Sequence, residues 1–204
     1  MHSKRKKDKE SSLIKLSINQ GGYFTAKQAL KLGYSYRAQS YYLETGYWVK
    51  EDRALYRVHF LPYQKNDELI KAYFWSRDKK DIPQAVISHE SAIMVHDLGE
   101  IIPKKIHLTV PKSFRKKPLE KYLIYKANIV KNEIENKDFF KVTTVIKTIT
   151  DLVNNIDQEQ LAKIIGGSYD RGLISQHDIE LANVNDVIKR KLLSLLAIAR
   201  NQNQ

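Results

Sequence analysis

Tyr36, Arg37, Gln39 and Ser40 place four hydrogen-bonding side chains within five residues, just past Gly33 and Ser35. An arginine can hold two acceptors on a guanine edge, and a glutamine can meet the donor and acceptor of adenine. The group therefore has the chemistry of base reading in a major groove. Thr25, Lys27 and Ser35 flank it and complete the candidate contact set on this side. Lys50, Arg53 and Arg57 follow as long cations on one short stretch, suited to phosphate or minor-groove contact. The same residue types also suit a purely structural pair of helices, and residue chemistry alone leaves both readings open.

Other chemistries find less support. "HESAIMVH" sets His89, Glu90 and His96 near one another, but seven residues separate the histidines where the zinc motif HExxH needs four. The chain has no cysteine, and no third ligand clusters with these two, so neither a metal nor a cofactor is expected. His89 is expected as a polar residue in the first turn of a capped helix. "IIGGSYDRG" lacks the lysine of a phosphate-binding loop and reads as a helix-ending turn. Asp151 lies among apolar neighbours, where a half-buried carboxylate bonded to a backbone amide is commoner than a catalytic one. No catalytic residue is assigned.

The elements that must carry these groups follow from caps and periodicity. "SSLIKLSINQGG" predicts a short helix from Ser11 that Gly21 and Gly22 stop. Thr25 and Gln28 stand in capping-box register and fix the start of a second helix, "TAKQALKL", which Gly33 ends. Ser35 caps a third, "YRAQSYYLET", which Gly46 ends. On its wheel Ala38, Tyr41, Tyr42 and Thr45 fall together, with Leu43 apart, so the buried face is not uniquely assigned. "YWVKEDRALYRVHF" alternates around a polar centre as a β-hairpin does. Helix, helix, helix, hairpin is the order of a winged helix-turn-helix.

Beyond it, "NDELIKAYFWSRDKK" predicts an amphipathic connecting helix with Leu69, Ile70, Tyr73 and Phe74 inward. "QAVIS", "KKIHLTVP", "KYLIYKANI" and "FFKVT" are strand candidates, with a helix capped by Ser88 after the first. Val145, Ile146, Ile149, Leu152, Val153 and Ile156 form one helical stripe. Further helices start at Asp157 and Ser175, and "DVIKRKLLSLLAIAR" closes the chain. The expected fold class is α+β: a basic flexible tail over residues 1–10, a winged helix-turn-helix domain over 11–62, and a mixed α/β domain over 63–204, with 63–84 as its connecting helix.

Charge points to the partner. The chain of 204 residues carries a net charge of +12. Residues 1–60 hold 12 basic and 5 acidic side chains, residues 61–125 hold 12 and 8, and residues 126–204 hold 11 and 10. A positive field concentrated in one part attracts polyanions, nucleic acid foremost. A second cluster, residues 103–121, has seven Lys or Arg against Glu120 alone. Its Lys104, Lys105, Lys112, Arg115, Lys116 and Lys117 read either as lysines that blunt an edge strand or as a surface for an acidic partner. No apolar run reaches the length of about 18 residues that spans a bilayer, and the N-terminus lacks the apolar core of a signal peptide, so a cytoplasmic protein with no membrane partner is expected.

"FTAKQALKLGYSYRAQSYYLETGYWVKEDRALYRVHFLP" resembles the N-terminal winged domain of AbiEi family antitoxins. "AVISHESAIMVHDLGEIIPKKIHLTVPKSFRKK" and "KVTTVIKTITDLV" resemble the segment that follows it there, so the resemblance spans about residues 11–155. The chain departs from the family at Ala54 and Asp97, where glycine is expected, and at Lys147, where arginine is frequent. The family supplies antitoxins of bacterial type IV toxin-antitoxin systems, linked to abortive phage infection. The resemblance therefore implies a non-enzymatic protein whose winged helix binds repeats in its own promoter and represses it. Its C-terminal domain would counter a nucleotidyltransferase-like toxin, by contact or otherwise. On repeated half-sites a monomer or a cooperative dimer would serve. Two other functions fit the residues, a stand-alone transcriptional regulator and a nucleic-acid-processing enzyme with a winged targeting domain.

Overall fold

A computed structural model describes residues 2–202, with side chains from residue 7 to residue 201. The chain is a mixed α+β protein of two units. The first closes at Gln84 and takes in Asp138–Phe140, and the second holds Ala85–Lys137 and the chain from Lys141 onward.

The first unit runs α1 (His2–Ile18), β1 (Tyr23–Thr25), α2 (Ala26–Lys31), α3 (Tyr36–Glu44), β2 (Trp48–Asp52), β3 (Leu55–Val58) and α4 (Asp67–Trp75). Its capping signals act as their residue types dictate. The Thr25 hydroxyl accepts from the Gln28 amide while the Gln28 side chain returns to the Thr25 amide, and Ser35 accepts from the Ala38 amide. Gly33 and Gly46 stop α2 and α3 with φ of 86° and 75°, a left-handed conformation that costs glycine nothing. The three strands form an antiparallel sheet of order β1-β3-β2, with Phe24 opposite Tyr56 and Trp48 opposite Val58.

Trp48 is the centre of this unit's core. Phe24 and Tyr34 meet it edge-on, at 4.7 and 5.1 Å between centroids, and Tyr42 stacks on it at 4.9 Å. Each such pair adds about 1 kcal/mol beyond burial. Because Phe24 comes from β1, Tyr34 from the α2–α3 turn and Tyr42 from α3, one indole ties the helices to the hairpin.

Three expectations are corrected here. Residues 2–10 are not a flexible tail but the first turns of α1, where Lys9 Nζ donates to the Gly33 carbonyl at 2.5 Å and sits 5.4 Å from the Tyr34 ring. The first residue lies outside the described residues. The domain boundary falls after Gln84 and not after residue 62. The reason is that α4 does not merely connect: Ile70 and Phe74 are buried, and the Asp67 carboxylate accepts from Tyr23 of β1 at 2.5 Å.

The second unit opens with β4 (Val86–Ile87), α5 (His89–His96), β5 (Ile106–Val110) and β6 (Tyr122–Lys126). After a 3-10 turn at Lys131–Glu133 come β7 (Ile134–Lys137), β8 (Phe140–Thr143), α6 (Val145–Leu152), α7 (Gln158–Asp170), α8 (Gln176–Leu181) and α9 (Asp186–Gln202). The sheet has the order β6-β5-β4-β8-β7, with β4 antiparallel to β5 and parallel to β8, and β5 parallel to β6. Ile149, Leu152 and Val153 of the expected stripe are buried with Ile93, Leu161, Ile165, Leu192 and Leu196 in one apolar core.

Two local readings change as well. "IIGGSYDRG" does end a helix, but at Gly172, with φ 65°, and Gly166 and Gly167 lie inside α7. Gly166 faces α9 so closely that a Cβ there would come within 2.8 Å of Ala199, so the glycine admits the neighbouring helix. Ser88 stands at the N-cap of α5 but makes no capping bond. Its hydroxyl accepts from Thr109 at 2.8 Å and lies 3.0 Å from His89 Nδ1. Among the described residues no helix is long and apolar enough to cross a membrane.

Candidate nucleic-acid interface

The face that α3 turns to solvent is Tyr36, Arg37, Ser40, Tyr41 and Glu44. On a helix of 3.6 residues per turn these fall within one arc of about 140°. Tyr36 and Tyr41 are 67% and 58% exposed. The opposite side gives Ala38, Tyr42 and Leu43 to the Trp48 core. This settles the face left open by the wheel: Ala38 and Tyr42 turn inward with Leu43, while Tyr41 and Thr45 are exposed. Two phenols, one guanidinium and one hydroxyl thus face solvent on a helix that Trp48 anchors from behind, with the Tyr41 ring edge-on to Tyr42 at 5.7 Å. Lys50 and Arg53 are exposed on the β2–β3 hairpin, Arg53 at its tip.

Three residues expected to contact DNA are instead interior. Gln39 is 2% exposed, and its Nε2 donates to the carbonyls of Ala26 and Tyr34 at 3.1 and 3.0 Å. It ties α3 to the start of α2 and to the turn between them. Arg57 is 4% exposed; its guanidinium bonds the Leu61 carbonyl, pairs with Glu51 at 3.3 Å and lies 3.7 Å from the Tyr63 ring. A cation so enclosed cannot reach a phosphate. Thr25 is buried, its hydroxyl shared between the Gln28 amide and the Asp81 carboxylate. Lys27 is exposed, with Nζ 2.5 Å from the Lys79 carbonyl, and Ser35 is an exposed cap. A wheel drawn with Gln39 as a core residue would have found the first of these. The acid partner Glu51, six residues before Arg57, signals the second.

The second cluster is displayed differently. Lys104 and Lys105 precede β5, and Lys112, Arg115, Lys116 and Lys117 occupy the β5–β6 connection, all exposed. β6 is an edge strand and β5 lies next to it, so these cations flank β5 at both of its ends and line the connection to the edge.

The histidines do not converge. His89 and His96 sit at opposite ends of α5, about 10 Å apart along its axis. Among the described residues no group of three His, Cys, Asp or Glu side chains could hold a metal. His96 Nε2 is 2.7 Å from the Thr143 carbonyl and 3.3 Å from Glu135. His89 stacks on Tyr125 at 3.6 Å, and His107 bridges Tyr125 OH at 3.2 Å and Glu90 at 3.7 Å. Sequence gave no sign of this cluster, because only the parallel β5–β6 register, with His107 opposite Leu123, brings Tyr125 alongside. Burial pushes His89 down to about 3, helped by His107 and Lys147. Burial also raises Tyr125, with Glu90 adding to it. Neither partner of the stack is poised near neutral pH as a general acid or base must be, so the stack works as an uncharged packing element. Asp151, expected to bond a backbone amide, pairs instead with Lys147 one turn before it.

No family model matches the chain, and no curated protein matches it.

Proposed function

We propose that the first unit is a winged helix-turn-helix that binds double-stranded DNA, with α3 in the major groove and the β2–β3 hairpin as the wing. The observation that carries this reading is the open face of α3. A helix held from behind by Trp48 presents Tyr36, Arg37, Ser40 and Tyr41 to solvent, four side chains of the kinds that bond or stack on base edges and sugar-phosphate. The order helix, strand, helix, helix, hairpin, with β1 closing the sheet, supports it, as does the excess of positive charge in residues 1–60. Arg37 is the principal base-reading group; Lys50 and Arg53 neutralise phosphate.

The resemblance to AbiEi antitoxins gives this DNA-binding unit its biological setting: a cytoplasmic bacterial repressor of its own promoter, paired with a nucleotidyltransferase-like toxin that the second unit counters. In that setting the cations from Lys104 to Lys117 are the surface for the acidic partner.

Arg37→Ala is expected to weaken binding to the chain's own promoter fragment by about 1 to 3 kcal/mol and to relax discrimination against random DNA. Fluorescence anisotropy with both DNAs measures it, and equal affinity and equal discrimination for variant and wild type would refute the assignment of α3. A separate test addresses the second unit. Lys104→Glu with Lys105→Glu, in the full chain, should abolish rescue of cells from the toxin encoded beside it while promoter binding persists. Rescue that survives charge reversal removes these lysines from the partner surface.

A further inference from the structure

The segment after α4 is built as a clamp on the hairpin tip. Arg77 is buried, and each of its three nitrogens has an acceptor. Nη1 donates to the Phe74 carbonyl at 2.7 Å, Nη2 to the Arg53 carbonyl at 2.6 Å, and Nε pairs with Asp81 at 3.2 Å. The other Asp81 oxygen accepts from the Thr25 hydroxyl, and Thr25 in turn caps α2. The next tip carbonyl, of Ala54, accepts from the Ala26 amide at 3.0 Å. Ala54 and Asp81 both hold left-handed backbone, with φ of 54° and 72°.

Burying a guanidinium is costly unless every donor is met. Here burial lowers the Arg77 pKa, while Asp81 and Asp52 oppose that shift. What the enclosed charge gains is a planar fork with fixed angles between its acceptors, which lysine cannot supply. Two of those acceptors belong to different elements: Phe74 lies in α4, and Arg53 is the exposed cation of the tip. The third contact leads through Asp81 to the first turn of α2. The carbonyl of Arg53 is therefore referenced to the same helix pair that presents α3.

We propose that Arg77 and Asp81 are positioning residues for the hairpin: they touch no DNA, yet they set where Arg53 meets the phosphate backbone relative to α3. The proposal rests on the DNA-binding reading above. It makes the 76–82 segment part of the recognition machinery, and it predicts that the tip's contribution to binding depends on a fork buried beneath it.

The test is a double-mutant cycle in the full chain, with Arg53→Ala, Arg77→Lys and their combination. Promoter affinity is measured over a series of salt concentrations, and Arg37→Ala serves as the control. A lost phosphate contact makes the salt slope shallower by about 1. Arg53→Ala and Arg77→Lys should each show that change, and Arg77→Lys should add nothing in the Arg53→Ala background. Asp81→Asn, which keeps the side-chain volume, should show the same change in part. The proposal is overturned if Arg77→Lys and Asp81→Asn bind as wild type while Arg53→Ala and Arg37→Ala lose affinity; the DNA-binding reading then stands without it. It is also overturned if the losses of Arg53→Ala and Arg77→Lys multiply, since the two then act independently. If Arg37→Ala and Arg53→Ala both bind as wild type, the DNA-binding reading falls and takes the proposal with it.

Discussion

Gln39, Arg57 and Thr25 carry the right atoms for DNA contact, and each turns its donors on the protein. Residue type therefore identified the class of chemistry but not its direction. An amide aimed at two carbonyls 3.1 and 3.0 Å away is indistinguishable in sequence from one aimed at adenine. Backbone geometry is a separate property of the residue, and Asp97 illustrates it. It ends α5 with φ 56° and ψ 49°, donating its amide to Ile93, in a region that side chains with a Cβ enter at a cost and glycine does not. The Arg171 guanidinium bonds only its carbonyl, at 2.5 Å, so glycine would keep that contact. Asp97→Gly should therefore raise the stability of the second unit by up to about 1 kcal/mol. A higher melting midpoint in a thermal scan is the expected result, and a lowered one would show that the aspartate side chain itself is needed.

Elements bounded by local signals were legible. Thr25, Ser35, Asp157 and Ser175 each cap the helix their residue type predicts, and each does so with its own side chain. Elements defined by distant partners were not. β1 is three residues long, too short to show alternation, and exists because Tyr23 and Phe24 pair with Arg57 and Tyr56 more than thirty positions later. The candidate site was legible to the same degree: the start and end of α3 followed from local signals, but its open face needed the Trp48 core to define it, and Arg77 lay hidden in "SRDKK", which reads as the polar end of a helix. In "IIGGSYDRG" the helix end was legible and falls at Gly172, but the place of the glycine pair inside α7 was not, since the need for Gly166 comes from α9. Opposite signs are expected at these adjacent positions. Gly166→Ala pushes a methyl to 2.8 Å from Ala199 and should cost about 1 to 3 kcal/mol as the helices part. Gly167→Ala meets nothing within 4 Å and should gain about 1 kcal/mol from helix propensity. Urea titrations of the two variants check this, and equal effects would mean that α7 and α9 do not approach as closely as the geometry requires.

For the molecule as a whole, positive charge is graded toward the first unit while buried histidines gather in the second. His89, His96 and His107 are all enclosed there, whereas His59 of the first unit is exposed. Burial lowers the pKa of each. For His96 it outweighs the Thr143 carbonyl and Glu135, and for His107 it outweighs Glu90. A histidine whose folded pKa lies below the unfolded value of about 6.5 is neutral in the fold while the unfolded chain takes up its proton. The unfolded state then binds more protons, so stability rises with pH. Its full value is present above about pH 6.5 and is lost as pH falls toward the folded pKa. With His89 pushed down to about 3, that residue alone should remove about 2 kcal/mol between pH 7.5 and 5. Acidification should accordingly loosen the second unit before the first. Hydrogen exchange at the two pH values reads this directly, with the amides of α5 and β5 losing protection ahead of those of α2 and α3. His89→Asn, which tolerates the left-handed backbone that His89 holds at φ 52°, should flatten the dependence by roughly one proton. Protection of the α5 amides that does not change between the two pH values would mean that these histidines do not carry the burial cost the structure gives them.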